Sequence, residues 1–523
     1  MKFFYFLIFA MMMLPSCQPT DPTLVTIEQG KLQGMEEDGI LVWKGVPFAQ
    51  PPIHDLRWKS PQPLQPWQGI KSAQRYGNIC PSTGYGEQSI YEIPPEEMSE
   101  DCLYLNVWSP TISPKKKMPV FVWIHGGSLT REGGTHPQYL GKNLAKKGIV
   151  YVSINYRLHA FGFLAHPELS AENEKGISGN YGMLDQISAL EWVQKNISDF
   201  GGDPNNVTIG GESAGGWSVT LLTASPLAKG LFQQAIAQSG AYLWGGPHLQ
   251  VAKNGYVSGE EEGKEFMSKL NANSLEEIRA VPADSIVQLF FSNKNNLSSE
   301  PIVDRYVFTE DVKDTYAQSK HHKVDVITGA NADEWSLWVP KSLPTDPEIY
   351  RQQIEKKYPG QSSLFFNTYP VKDSASIAQA YVDFQSDQNF HLHNRNWAKE
   401  MSKGGNRVFM YYFSKTPAER YPKEYGAFHG AEIVYALNNL ENDPGSIGAG
   451  VISESDQAYA NMVSNYWINF IKTGNPNGDG LKEWKSWTAK EEAYLEFGEE
   501  VRQGEFLLNN RLNRLELFLS ENK

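Results

Sequence analysis

Residues 207–216 read Val-Thr-Ile-Gly-Gly-Glu-Ser-Ala-Gly-Gly. The β-branched run Val207-Thr208-Ile209-Gly210 predicts a strand, and Gly215 to Ser225 continues as a helix. Between them lies Gly211-Glu212-Ser213-Ala214-Gly215, a G-x-S-x-G in strand–turn–helix context. The pattern alone is weak, because glycine-rich turns match it by accident. The context gives it chemistry. A serine held in a sharp, strained turn needs neighbours without bulky side chains. The helix N-terminus behind Ser213 aims free backbone N–H groups at the place where negative charge develops in acyl transfer. Ser213 is the candidate nucleophile.

Similar strands flank this segment. Pro119 to Ile124 (PVFVWI) and Ile149 to Ile154 (IVYVSI) are near-continuous apolar runs, as in a sheet covered on both faces. Leu184 to Val193 carries apolar residues at helical spacing, and Gly201-Gly202-Asp203-Pro204 reads as a stop and turn. Val324 to Gly329 and Val408 to Phe413 read as later strands. This alternation predicts an α/β fold with a large, mostly parallel central sheet and helices on both faces. Ser258 to Lys403 reads as helical insertions over that sheet. No linker divides the chain, so residues 25–518 are expected to form one domain.

Three further motifs follow strand ends. Trp123-Ile124-His125-Gly126-Gly127-Ser128 supplies small residues that let backbone N–H groups approach a substrate oxygen. Gly329-Ala330-Asn331-Ala332-Asp333-Glu334 supplies a carboxylate, and His429-Gly430-Ala431-Glu432 an imidazole. The chain order Ser213, Glu334, His429 is that of a nucleophile, acid and base on a parallel sheet.

Other blocks carry a resemblance. They are Gly45-Val46-Pro47-Phe48-Ala49 with Leu56-Arg57-Trp58, Glu100-Asp101-Cys102-Leu103-Tyr104-Leu105-Asn106-Val107-Trp108, and Asn155-Tyr156-Arg157. Gly179-Asn180-Tyr181-Gly182, Phe200-Gly201-Gly202-Asp203-Pro204 and Thr473-Gly474-Asn475-Pro476-Asn477 follow in order. Together they resemble the type-B carboxylesterase and cholinesterase-like family of α/β-hydrolases, from about Val25 to Phe518.

That resemblance implies a serine hydrolase cleaving carboxylic esters through an acyl-enzyme. Ser213 would be the nucleophile, His429 the general base and acid, and Glu334 its orienting carboxylate. The N–H groups of Gly127, Ser128 and Ala214 would form the oxyanion hole. Cys80 and Cys102 match the family's first disulfide, and Glu212, Ser239 and Glu432 a buried polar network behind the triad. No metal or cofactor is implied. The chain departs from the family at Ser128, Arg305 and Trp335, where glycine is usual. The loop from Cys80 to Cys102 holds Tyr85 and Tyr91 but no Trp, so choline esters are not the default substrate. The rival readings are amide or lactone hydrolysis, and a non-catalytic binding protein on the same scaffold.

Composition narrows the partners. Of 523 residues, 47 are Lys or Arg and 60 are Asp or Glu, a net charge of −13, which disfavours nucleic acid. The expected partner is a small-molecule ester. Phe3 to Leu14 is apolar, too short to span a bilayer, and ends in Leu14-Pro15-Ser16-Cys17. Residues 1–16 therefore read as a lipoprotein-type signal peptide, Cys17 as the lipidated residue and 17–24 as a tether, which limits membrane contact to that anchor; the alternative is an ordinary secretory signal with an incidental Cys17, giving a secreted or periplasmic protein. Of the three Cys, removing Cys17 leaves the pair Cys80 and Cys102, suited to a disulfide in an exported protein. His391 and His393 are spaced for one face of a strand, but no further ligands at fitting spacing accompany them. His321-His322 reads as a solvated turn.

Overall fold

A computed structural model describes residues 21–86, 89–92, 97–243, 245–292, 300–417, 420–444 and 452–520. The signal segment and Cys17 lie outside the described residues. The strands, in chain order, are β1 (Leu24–Ile27), β2 (Gly30–Gln33), β3 (Met35–Glu37), β4 (Ile40–Pro47), β5 (Ile70–Ser72), β6 (Tyr104–Ser109) and β7 (Met118–Ile124). They continue with β8 (Val150–Ile154), β9 (Gly202–Glu212), β10 (Gln234–Gln238), β11 (Asp325–Asn331), β12 (Val408–Phe413), β13 (Ala493–Phe497) and β14 (Val501–Glu505).

Eleven strands form one sheet in the order β14-β13-β12-β11-β10-β9-β7-β8-β6-β4-β3. The middle, from β13 to β8, is parallel throughout. Antiparallel pairs finish both edges. Strands β1, β2 and β5 make a separate small sheet.

The apolar runs are continuous because both faces of the sheet are covered. Along β7, Val120, Val122 and Ile124 face one core, with Ile187, Leu190 and Val193 of helix Tyr181–Asn196 and Leu221 and Leu222 of helix Ala214–Ala224. Phe121 and Trp123 face the other, with Tyr466, Trp467 and Phe470 of helix Glu454–Thr473. The same alternation runs along β12, where Val408 and Met410 join the first core and Phe409, Tyr411 and Phe413 the second. Each fully buried side chain of this size contributes roughly 1.5–3 kcal/mol.

Three expectations need correction. Gly201 alone makes the turn, with φ of 86°, and β9 already begins at Gly202, which pairs with Met118. A bulge between Met118 and Val120 absorbs the irregular start, so Pro204 lies within the strand. His391 and His393 are on helical backbone: a π-turn at Asp387–His391 runs into helix Leu392–Lys403. Their rings diverge, His391 toward Asp387 and His393 against Tyr242. His321 is buried and stacked on Tyr316 rather than solvated.

Candidate active site

Strand β9 delivers Ser213 at the C-terminal edge of the sheet. Ser213 has φ of 55° and ψ of −124°, a left-handed conformation costly for a residue with a Cβ. The turn is held by Ser213 N–H donating to Gln238 O at 2.9 Å and by Trp217 N–H donating to Ser213 O at 2.9 Å. The strain sits on the serine and not on its glycines, neither of which has positive φ. Gly211 and Gly215 are required by proximity: a Cβ would lie 2.5 Å and 2.1 Å, respectively, from the carbonyl oxygen of Ile124 on β7.

The loop after β7 turns through Gly127, Ser128 and Leu129 at φ of 81°, 58° and 59°. Gly127 O accepts from the N–H groups of Thr130, at 2.9 Å, and Arg131, at 3.1 Å. Among the described residues none accepts a hydrogen bond from the N–H of Gly127 or Ser128. Ala214 opens its helix, where N–H groups have no intrahelical partner. Ser128 thus adopts the left-handed backbone that glycine would take at no cost. So does Arg305, at φ of 67°, whereas Trp335 stands at −96° and meets no such penalty. Glu132, also left-handed at 75°, is held by the hydroxyls of Tyr85 and Tyr139.

Glu334 follows β11 and is fully buried. Its Oε1 accepts from Asn331 N–H at 2.6 Å, and its Oε2 lies 2.5 Å from His429 Nδ1. His429, in the loop after β12, packs against Phe390 at 4.9 Å and Trp338 at 5.4 Å between ring centroids. Tyr91 O–H donates to its carbonyl at 2.7 Å. Ser213, His429, Glu212, Gly127 and Ser128 line one cavity of about 430 Å³, with Tyr85, Tyr91, Trp335, Trp338 and Phe390 among its walls. The Trp residues that the Cys80–Cys102 loop lacks thus come from the segment after Glu334. The two cysteines are disulfide-bonded.

The second imidazole nitrogen, Nε2, is 3.2 Å from Glu212 Oε1, an ion-pair contact without hydrogen-bond alignment. Among the described residues Ser213 Oγ makes no hydrogen bond, so the expected link between imidazole and hydroxyl is not formed in this state. Burial pushes the Glu212 carboxyl well above the usual range. Burial alone would lower His429, but the carboxylates of Glu212 and Glu334 outweigh it and raise the imidazole to about 9.

The polar network expected behind the triad divides in two. Glu212 stands in the cavity itself. Glu432 lies behind, its Oε2 accepting from Asn331 Nδ2 at 2.6 Å and its Oε1 from Gln238 Nε2 at 3.1 Å. Ser239, buried after β10, donates its N–H to Gly329 O at 2.9 Å and holds adjacent strand ends in register. Sequence reasoning missed Asn331, which ties Glu334, Glu432 and the carbonyl of Phe428 together. It lay in the quoted Gly329–Glu334 motif, but the strand was read as ending at Gly329, whereas β11 runs on to Asn331. Glu132 and Trp338 carried no sequence signal. Among the described residues no group of three or more His, Cys, Asp or Glu is arranged to hold a metal ion.

An elbow serine, an acid and an imidazole carried past the ends of β9, β11 and β12 of a parallel sheet make this protein an α/β-hydrolase. The model of the carboxylesterase family matches residues 21–515, and the chain belongs to that family and hydrolyses carboxylic esters. It is 34% identical over 501 residues to the fumonisin B1 esterase of Sphingopyxis macrogoltabida, covering 94% of this chain and 89% of that one. The para-nitrobenzyl esterase of Bacillus subtilis is 35% identical over 475 residues, 88% of this chain and 91% of that one. Among solved structures, a PNB esterase superposes with a TM-score of 0.81 at 29% identity, over 95% of this chain and 99% of that one. A carboxylesterase of Geobacillus stearothermophilus gives 0.80 at 29%, over 94% and 100%.

Proposed function

We propose that Ser213, His429 and Glu334 are the catalytic triad of this esterase, working through an acyl-enzyme. The observation that carries the reading is the imidazole of His429, held on Nδ1 by Glu334 with Nε2 turned toward the cavity that Ser213 enters. His429 takes the hydroxyl proton of Ser213 as the oxygen attacks the ester carbonyl. The contact between Nε2 and Ser213 forms with substrate in place, as catalytic hydrogen bonds often tighten only then. Glu334 fixes the tautomer and stabilises the imidazolium. The N–H groups of Gly127, Ser128 and Ala214 receive the oxyanion, each such donor being worth about 3–4 kcal/mol of barrier. His429 then protonates the leaving alcohol, and water releases the acyl group by the same route. Ser213→Ala should abolish turnover of an aryl acetate, and labelling by a fluorophosphonate probe, while the protein stays folded. Turnover at the wild-type rate would place the chemistry elsewhere.

The mature protein, on this reading, is one hydrolase domain over residues 25–518. It is exported and tethered through lipidated Cys17. Among the described residues no helix is long and apolar enough to cross a membrane. Cys17→Ala should move the protein from the detergent phase to the aqueous phase; unchanged partitioning removes the anchor.

A further inference from the structure

We infer that His391 is a buried imidazolium that positions the acid of the proposed triad, an assignment that rests on that triad reading. His391 is 1% exposed and touches neither the cavity nor solvent. Its Nδ1 lies 2.8 Å from Asp387 Oδ1, and its Nε2 lies 2.8 Å from the carbonyl oxygen of Asn331. Both neighbours are acceptors. A peptide carbonyl has no proton to give, and an ionised carboxylate has none either. A neutral imidazole carries one N–H and would leave one of these contacts as two lone pairs facing each other inside the protein. The ring meets both acceptors only when both nitrogens are protonated.

The alternative is a proton on Asp387, and its surroundings oppose that. Arg511 Nη2 donates to Asp387 Oδ1 at 2.8 Å, and Tyr369 O–H donates to Oδ2 at 3.0 Å. Together with the His391 ring the carboxylate has three polar partners, one of them the Arg511 guanidinium. Although burial pushes Asp387 up, His391 and Arg511 outweigh it and hold the carboxyl below the usual range. Arg511 also donates to Asp383 at 3.0 Å. Asp383 and Asp387 thus balance Arg511 and His391. Tyr412 supplies the remaining wall, its ring 5.7 Å from that of His391.

The link to chemistry is one residue long. The carbonyl that His391 grips belongs to Asn331, whose own N–H donates to Glu334 Oε1 and whose amide donates to Glu432 and to Phe428 O. Fixing that residue from behind fixes the aim of Glu334 at His429 Nδ1. The π-turn at Asp387–His391 makes this possible: Phe390 packs on the His429 ring while the next residue reaches Asn331 O. Such turns concentrate at functional sites because the extra residue re-aims side chains. The chain Arg511, Asp387, His391, Asn331, Glu334 therefore runs from the helix Asn509–Ser520 to the catalytic imidazole.

The direct test is spectroscopic. Wild-type protein with ¹⁵N-labelled histidine is examined at neutral pH, and the His391 signals are assigned by their through-space contacts with the Tyr412 ring, with absence in a folded His391→Gln protein as a check. Two protonated ring nitrogens, each with a slowly exchanging N–H, are expected. One protonated and one bare nitrogen would overturn the assignment, whether or not the variant folds. Kinetics give the second readout. His391→Gln should lower kcat for an aryl acetate by between about tenfold and a hundredfold with KM little changed, and probe labelling of Ser213 should slow in parallel. A folded His391→Gln protein with wild-type kcat would refute the positioning role. Failure of the triad reading would look different, as Ser213→Ala would retain turnover.

Discussion

Glu212→Gln isolates the electrostatics of the site, because it removes a charge 3.2 Å from His429 Nε2 and keeps the shape of the side chain. At that distance and an effective dielectric of about 20, a full charge on Glu212 favours the imidazolium by about 5 kcal/mol. The net rise of His429 from 6.5 to about 9 corresponds to about 3 kcal/mol, since burial opposes it and Glu334 assists. Glu212 is therefore large enough to decide the sign. A general base works only when neutral, so an anion that raises its pKa moves the acid limb of the rate profile upward. Replacing that anion by an amide should move the acid limb of kcat/KM to lower pH by about one to two units. The two groups titrate together in the wild type, so its limb belongs to the pair, whereas the variant reports the imidazole alone. The assay is kcat/KM for an uncharged aryl acetate across the range in which the protein stays folded, checked by circular dichroism. A limb that stays in place, or moves to higher pH, would refute the reasoning.

Two further outcomes follow from the geometry. Gly215→Ala forces a methyl group to 2.1 Å from Ile124 O, so the turn must shift; labelling of Ser213 by a fluorophosphonate should fail even in protein that melts cooperatively. Reducing the Cys80–Cys102 disulfide, which spans 22 residues, should cost about 3 kcal/mol of stability, read as a lower urea midpoint with dithiothreitol than without.

The sheet was legible where its strands are β-branched or aromatic. Val408–Phe413 reads from sequence with the bounds the structure gives, and Pro119–Ile124 misses β7 by one residue. It was illegible where punctuating residues are overridden by pairing. The Gly201–Pro204 stretch looks like a turn, yet hydrogen bonding to β7 extends β9 back to Gly202. Gln234–Gln238 has little intrinsic strand preference and is a strand because β9 and β11 sandwich it. At the site, the nucleophile, acid and base stand out through motif and chain order. Glu212 does not, since adjacency to a serine says nothing about which side chain meets the imidazole. His391 was misread because spacing of two suggests a strand face, and only the intervening π-turn aims it at Asn331.

The clasp of Arg511 on Asp387 bears on how the enzyme comes into being. Its parts reach from Gly127 to the helix Asn509–Ser520, almost four hundred residues further along the chain. A ribosome-bound chain lacking that helix cannot anchor the π-turn, so activity should switch on only after synthesis of the tail.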